Sequence, residues 1–334
     1  MSNAEHIVAG FLVLALIAYA VTGGADFGGG MWNLLATGPR AAAQRKAISK
    51  ALGPIWEADH VWLILVVVIL FTGFPRAFAT IMTALHIPVT LMLVGIVLRG
   101  SAFIFGKYDT RTRKVQQGWS VMFGAASFLT PFVQGITLGA LATGQIRVVN
   151  GVVTTGFFSG WLTLFAWACG LFALLLCGFL AAVYLTLDPE VAPEVHNDFR
   201  WRALWSGVAL VPIALGVFFT AKTGAPDIFA GLTSGWGLLL MAITVGFAAA
   251  SLLSLWARKF QIARLTAIAE VSLILAGWSL AQYPNLVIPD VTLANAAAPV
   301  ATLRLLMIAL CLGAIVLLPS LALLFYLFKG RSVN

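Results

Sequence analysis

A chain of 334 residues that is 61% hydrophobic and only 10% charged cannot present the polar surface of a water-soluble domain, in which about a quarter of the residues are charged. Its formal net charge of +8 does not point to nucleic acid, because Lys and Arg sit in short clusters between apolar runs, the pattern of loops on a membrane protein. Apolar runs longer than about 18 residues, without strict alternation, exclude a barrel and leave helices as the spanning element.

The first six residues, Met1 to His6, contain neither Lys nor Arg. A cleaved leader is therefore not expected, and the first apolar run, roughly 8–36, reads as a retained span. Within it, Gly23, Gly24, Gly28, Gly29 and Gly30 surround Asp26 and would let a neighbouring helix or cofactor approach closely. Asp26 lies about 15 Å from the end of that run, at 1.5 Å per residue. The second run, 51–73, opens with Trp56, Glu57, Asp59, His60 and Trp62, which places the two carboxylates about 9 and 12 Å deep. His60 shares a helix face with Glu57, while Asp59 points elsewhere.

The third run, 78–105, carries Arg99 at the level of Glu57, and pairing these two would lower the cost of burying either. Runs at 117–143, 158–187, 203–221 and 229–256 follow. The run 262–281 carries Glu270 about 12 Å deep, and 300–328 closes the set. Cys169, Cys177 and Cys311 lie inside apolar runs without a CxxC pair and read as small buried hydrophobes. The linkers around 187–202 and 282–299 are too short to fold alone. The expectation is thus an all-α integral membrane protein with about nine transmembrane helices, residues 1–334 forming one polytopic domain.

Orientation follows from the basic residues. Fifteen of the twenty Lys and Arg fall on one side, in the clusters Arg40–Lys50, Lys107–Lys114, Arg200–Arg202, Arg258–Arg264 and Lys329–Arg331. Arg76, Arg147 and Lys222 fall on the other, and Arg99 and Arg304 within spans. The N-terminus is expected outside and the C-terminus in the cytoplasm. All four buried carboxylates, Asp26, Glu57, Asp59 and Glu270, then occupy the cytoplasmic half.

An ionisable group in a bilayer costs a few kcal/mol. A helix-locking role accounts for Arg99 and Glu270, whereas Asp26, Glu57 and Asp59 together fit a hydrated proton or ion path. His6, His60, His86 and His196 are too spread in depth to clamp one haem iron and read as hydrogen-bonded core histidines. No Walker loop, dinucleotide fingerprint or HExxH occurs.

Three motifs carry a family resemblance: Gly23-Gly24-Ala25-Asp26-Phe27-Gly28-Gly29-Gly30, Trp56-Glu57-Ala58-Asp59-His60-Val61-Trp62, and Arg99-Gly100-Ser101-Ala102-Phe103-Ile104-Phe105. With them the chain resembles subunit II of cytochrome bd-type quinol oxidases, specifically over roughly 20–108 and more loosely to the end. The resemblance implies two four-helix bundles plus one peripheral helix, in the plasma membrane of a bacterium or archaeon. It also implies a partner of the same fold, subunit I, carrying haems b558, b595 and d, with quinol as the substrate of the complex and oxygen reduced to water. A small accessory subunit is compatible with it, nucleic acid is not.

By the same resemblance this chain binds no haem or metal directly, supports assembly and delivers cytoplasmic protons. Asp26, Glu57 and Asp59 would form the proton path, with His60, Arg99, Trp56, Trp62 and Glu270 in support. Gly23 stands where the family has an aspartate, Asp59 where it has asparagine, and Ile104 and Gly106 where it has an acidic residue and arginine. The competing expectations are a proton-coupled secondary transporter, a diverged paralogue serving another membrane redox complex, and a passive assembly subunit. Interrupted spans in corresponding halves, the mark of many transporters, are not apparent.

Overall fold

A computed structural model of the chain describes residues 3–52, 59–108, 112–187 and 192–329. In chain order the helices are α1 (Ala4–Leu34), α2 (Ala41–Leu52), α3 (His60–Gly73), α4 (Pro75–Ala84), α5 (His86–Tyr108) and α6 (Arg113–Ala142). A two-residue hairpin, β1 (Val148–Val149) and β2 (Val152–Val153), leads to α7 (Leu164–Leu185), α8 (Pro193–Gly224), α9 (Pro226–Thr233), α10 (Gly235–Trp256) and α11 (Phe260–Gln282). A second antiparallel pair, β3 (Asn285–Val287) and β4 (Val291–Thr292), precedes the single turn α12 (Leu293–Ala296) and the final helix α13 (Val300–Lys329).

Among the described residues eight helices are long and apolar enough to cross a membrane, nine if α3 and α4 count as one broken span. The run read as 51–73 ends at Gly73 as the apolar pattern has it, and there the chain turns from α3 into α4 at 115°. The cause is Phe74-Pro75: the residue before proline is excluded from helical geometry, and Phe74 sits at φ −135°, ψ 60°. Gly73 closes the break by accepting a 2.8 Å bond from the Ala298 amide. The stretch read as a basic loop before this span contains α2, whose buried Gln44, Ala47, Ile48 and Leu52 form one helical face.

The helices make two groups of four. Within one, α1 packs on α3 and α6, and α6 on α5; within the other, α7 packs on α8, and α10 on α11. Helix α7 also packs against α1 and α6, which joins the groups. Helix α13 touches α1 and α3 and buries none of its apolar window, so it is the peripheral helix. Cys311 therefore lies exposed on α13, contrary to its expected burial, whereas Cys169 and Cys177 are half-buried in α7.

The 282–299 linker is ordered by contact with the loop after α6. Ile146 bridges Pro289, Arg147 pairs with Asp290 at 2.9 Å, and the Val148 amide donates to Asp290 at 2.8 Å. The hydrogen bond from Arg147, aided by that amide, holds the Asp290 carboxyl below its ordinary range. At the opposite end Arg40 donates twice to Asp198, at 2.8 and 2.6 Å, and Gln44 donates to the same carboxylate at 2.7 Å.

Candidate functional site

The glycine-rich segment of α1 determines where Asp26 goes. A Cβ on Gly28 would collide with the Cys177 carbonyl of α7, and one on Gly30 with Ser127 of α6. Without those side chains α1 sinks between α6 and α7, carrying Asp26 to 3% exposure. Only a charged partner makes that depth tolerable. Arg99 of α5 supplies it, with its Nη2 2.6 Å from Asp26 Oδ1 and itself 2% exposed.

The guanidinium is held from several sides. Its Nε donates to Ser127 Oγ at 3.1 Å and its Nη2 to the Asp26 carbonyl at 3.1 Å. The rings of Phe27 and Phe123 face it, with centroids at 4.8 and 5.0 Å, a cation–π arrangement strengthened by loss of water. Neither carboxylate oxygen of Asp26 has a partner of hydrogen-bond geometry among the described residues.

The expected partner of Arg99 is Glu57; both Glu57 and Trp56 lie outside the described residues. The observed pairing with Asp26 has a simple geometric reason. Helix α1 ends at Leu34 and α5 runs on to Tyr108, so the two groups lie eight and nine residues from their helix ends, about 12 and 14 Å. The apolar runs alone put one end too late and the other too early, which hides that they are level.

Asp59, 3% exposed, precedes α3 at its N-cap. The Tyr184 hydroxyl donates to the Val21 carbonyl of α1 at 3.3 Å. His60 and Trp62 follow on α3, both half-buried. Glu270 is 7% exposed on α11, in the second helix group, and its Oε2 has no hydrogen-bond partner among the described residues.

A further polar feature runs along the contact of α1 with α6. Gln134 donates to the Tyr19 hydroxyl at 2.7 Å, Arg99 bridges Asp26 to Ser127, and Asn33 donates to Ser120 at 2.9 Å. Tyr19, Asp26 and Asn33 are spaced by seven on one helix; Gln134, Ser127 and Ser120 are spaced by seven on the other. Seven residues are nearly two turns, so each set occupies one face, and the antiparallel helices meet in three polar rungs about 10 Å apart. Polar residues recurring every seven positions inside two apolar runs were the available signal.

Three of the four histidines rest on aromatic rings. His6 rests on Tyr283 and His196 on Phe260, at opposite ends of α11, about 34 Å apart, while His86 rests on Phe157. No group of three or more His, Cys, Asp or Glu able to hold a metal ion occurs among the described residues.

Against known proteins, the family described as "Cytochrome bd terminal oxidase subunit II" matches residues 4–328. The chain is 24% identical over 326 residues to the putative cytochrome bd menaquinol oxidase subunit II of Bacillus subtilis (strain 168), covering 95% of this chain and 92% of that protein. It is 28% identical over 202 residues to the cytochrome bd-I ubiquinol oxidase subunit 2 of Escherichia coli (strain K12), covering 59% of this chain and 51% of that protein. Among solved structures, a chain of the bd oxidase from Geobacillus thermodenitrificans superposes with a TM-score of 0.79 at 20% identity, covering 99% of this chain and all of that one (100%). That likeness establishes the fold.

Proposed function

The chain belongs to the cytochrome bd terminal oxidase subunit II family, and from that premise we propose that it is the haem-free subunit of its oxidase, supporting assembly and supplying protons to haems held by subunit I. Membership makes it a multi-pass membrane subunit of an oxidoreductase that pairs with subunit I, in a complex with haem cofactors and quinol as substrate. In the proposed division of labour, haems b558, b595 and d reside on the partner, quinol is oxidised there, and oxygen is reduced to water.

The observation that carries the proton role is the placement of the buried carboxylates. Asp26 lies eight residues from the end of α1, Asp59 at the start of α3, and Glu270 ten residues into α11, all toward the end that carries Arg40 and Asp198. With the positive-inside rule that end faces the cytoplasm, leaving the N-terminus outside. Protons consumed in making water would then enter from the cytoplasm through Asp26, Glu57 and Asp59. His60, Trp56 and Trp62 would line the route, and Arg99 would fix the geometry at Asp26.

The Asp26–Arg99 pair favours a second reading for Asp26, a structural lock of α1 on α5. Asp26→Asn, Glu57→Gln and Asp59→Asn separate the two when oxygen uptake is measured on complexes whose haem spectrum and subunit ratio are intact. Slowed oxygen reduction is the expected result. Normal turnover in an assembled Asp26→Asn complex would assign Asp26 to the lock alone. Isolation of this chain as a stable, colourless homo-oligomer would remove the oxidase-subunit role.

A further inference from the structure

We infer that a half-open pocket between α1, α2, α5 and α6 is the aqueous entrance through which Asp26 is reached. The inference rests on the proton-supply reading and adds where the path opens. The cavity measures about 170 Å³, room for several waters at the 30 Å³ or so that each occupies in the liquid. Asn33, Ser49, Gln116 and Ser120 line it and offer the two to four hydrogen bonds that an ordered water requires. It lies at the end of the α1–α6 seam, on the same side as the basic residues of α2, and its innermost polar pair is the Asn33–Ser120 rung at 2.9 Å.

The floor of the cavity is the roof of the ion pair. Phe123, Ala102 and Leu52 line it. The Phe123 ring faces Arg99 with its centroid at 5.0 Å, and the Phe123 carbonyl accepts from Ser127 Oγ at 2.7 Å. Ala102 lies three residues beyond Arg99 on α5, and Leu52 fills the space over Gly29, three residues beyond Asp26 on α1. About one helical turn, near 5 Å, therefore separates this apolar floor from the pair, while the Asn33–Ser120 rung lies about 10 Å from it. The closing element is the Phe103–Phe123 contact, centroids 5.6 Å apart. Rotation of Phe123 would bring cavity water to the carboxylate oxygens of Asp26, which have no hydrogen-bond partner among the described residues.

The test is side-chain accessibility coupled to turnover, on the full chain with its haem-bearing partner in vesicles exposing the basic face. Ser120→Cys is placed in a Cys311→Ala background, since Cys311 is exposed on α13. The probe is a membrane-impermeant trimethylammonium methanethiosulfonate. Labelling of Ser120→Cys with a several-fold, thiol-reversible loss of oxygen reduction is expected, with no loss in the Cys311→Ala parent; Asn33→Cys replaces it if assembly fails. No labelling in an assembled complex means a dry cavity and overturns the inference. Labelling with unchanged turnover overturns it as well, even where Asp26→Asn has upheld proton supply. Normal turnover of Asp26→Asn would instead remove Asp26 from the proton path while leaving the accessibility result intact.

Discussion

At Asp26 and Arg99 two charges are kept in an apolar interior by geometry that neither residue could supply alone. Each has a helix of its own, and the guanidinium is flanked by Phe27 and Phe123 while bonded to Ser127. Removing one member of such a pair leaves the other charge buried and costs about 3–5 kcal/mol, whereas replacing both with apolar residues of similar size is often neutral. Asp26→Leu and Arg99→Met alone should each sharply lower the yield of assembled complex, and the double variant should recover most of it. Thermal denaturation of the purified complex measures this. Restored stability with oxygen reduction still slow would separate the chemical use of Asp26 from its structural one. Arg99→Lys should not substitute, because an ammonium group lacks the planar face that packs between two rings.

Among elements, the α1–α7 contact depends on missing side chains. Gly28 lies against the Cys177 carbonyl and Ala181 Cβ, whereas Gly10 on the same helix has nothing within 4 Å of its would-be Cβ. Overpacking of a tight contact costs about 1–3 kcal/mol. Gly28→Ala should therefore lower the Tm of the complex by several degrees and Gly10→Ala should leave it unchanged, a contrast readable in one melting series. The rung at Tyr19 behaves differently. Gln134→Leu leaves the buried tyrosine hydroxyl without its donor and should cost about 1–3 kcal/mol. Combining it with Tyr19→Phe removes both polar groups and should return the melting temperature toward that of the parent. Failure of the double variant to recover would show that Gln134 has a partner other than Tyr19.

Over the whole molecule, charges at the two ends tie together segments far apart in the chain. Arg147 and Asp290 join the loop after α6 to the loop after α11, and Arg40 and Asp198 join the start of α2 to α8. Because Arg147 lowers the Asp290 pKa in the folded state, the associated stability is complete above the unfolded aspartate value of about 4. It is lost as pH falls through the lower folded value. The Tm of the parent should fall on acidification below about pH 4, and Asp290→Asn should show a shallower acid limb from a lower starting point. The effect should be small, since Arg147 is 58% exposed and water screens the pair.

Hydropathy alone determined that the chain spans a membrane, nearly all the long helices, and which loops carry basic charge. These are local properties, set by residues within twenty or so positions of one another. The motif glycines and Asp26 were likewise visible, as was the improbability of burying Arg99 unpaired. The tertiary structure decided who pairs with whom: Arg99 with Asp26, Tyr19 with Gln134, Asn33 with Ser120. It also decided that the chain bends by 115° between α3 and α4, and that the 282–299 linker docks on Arg147. Pairing depends on relative depth and rotation of helices distant in sequence, and an error of a few residues in one helix end moves a side chain by a full turn.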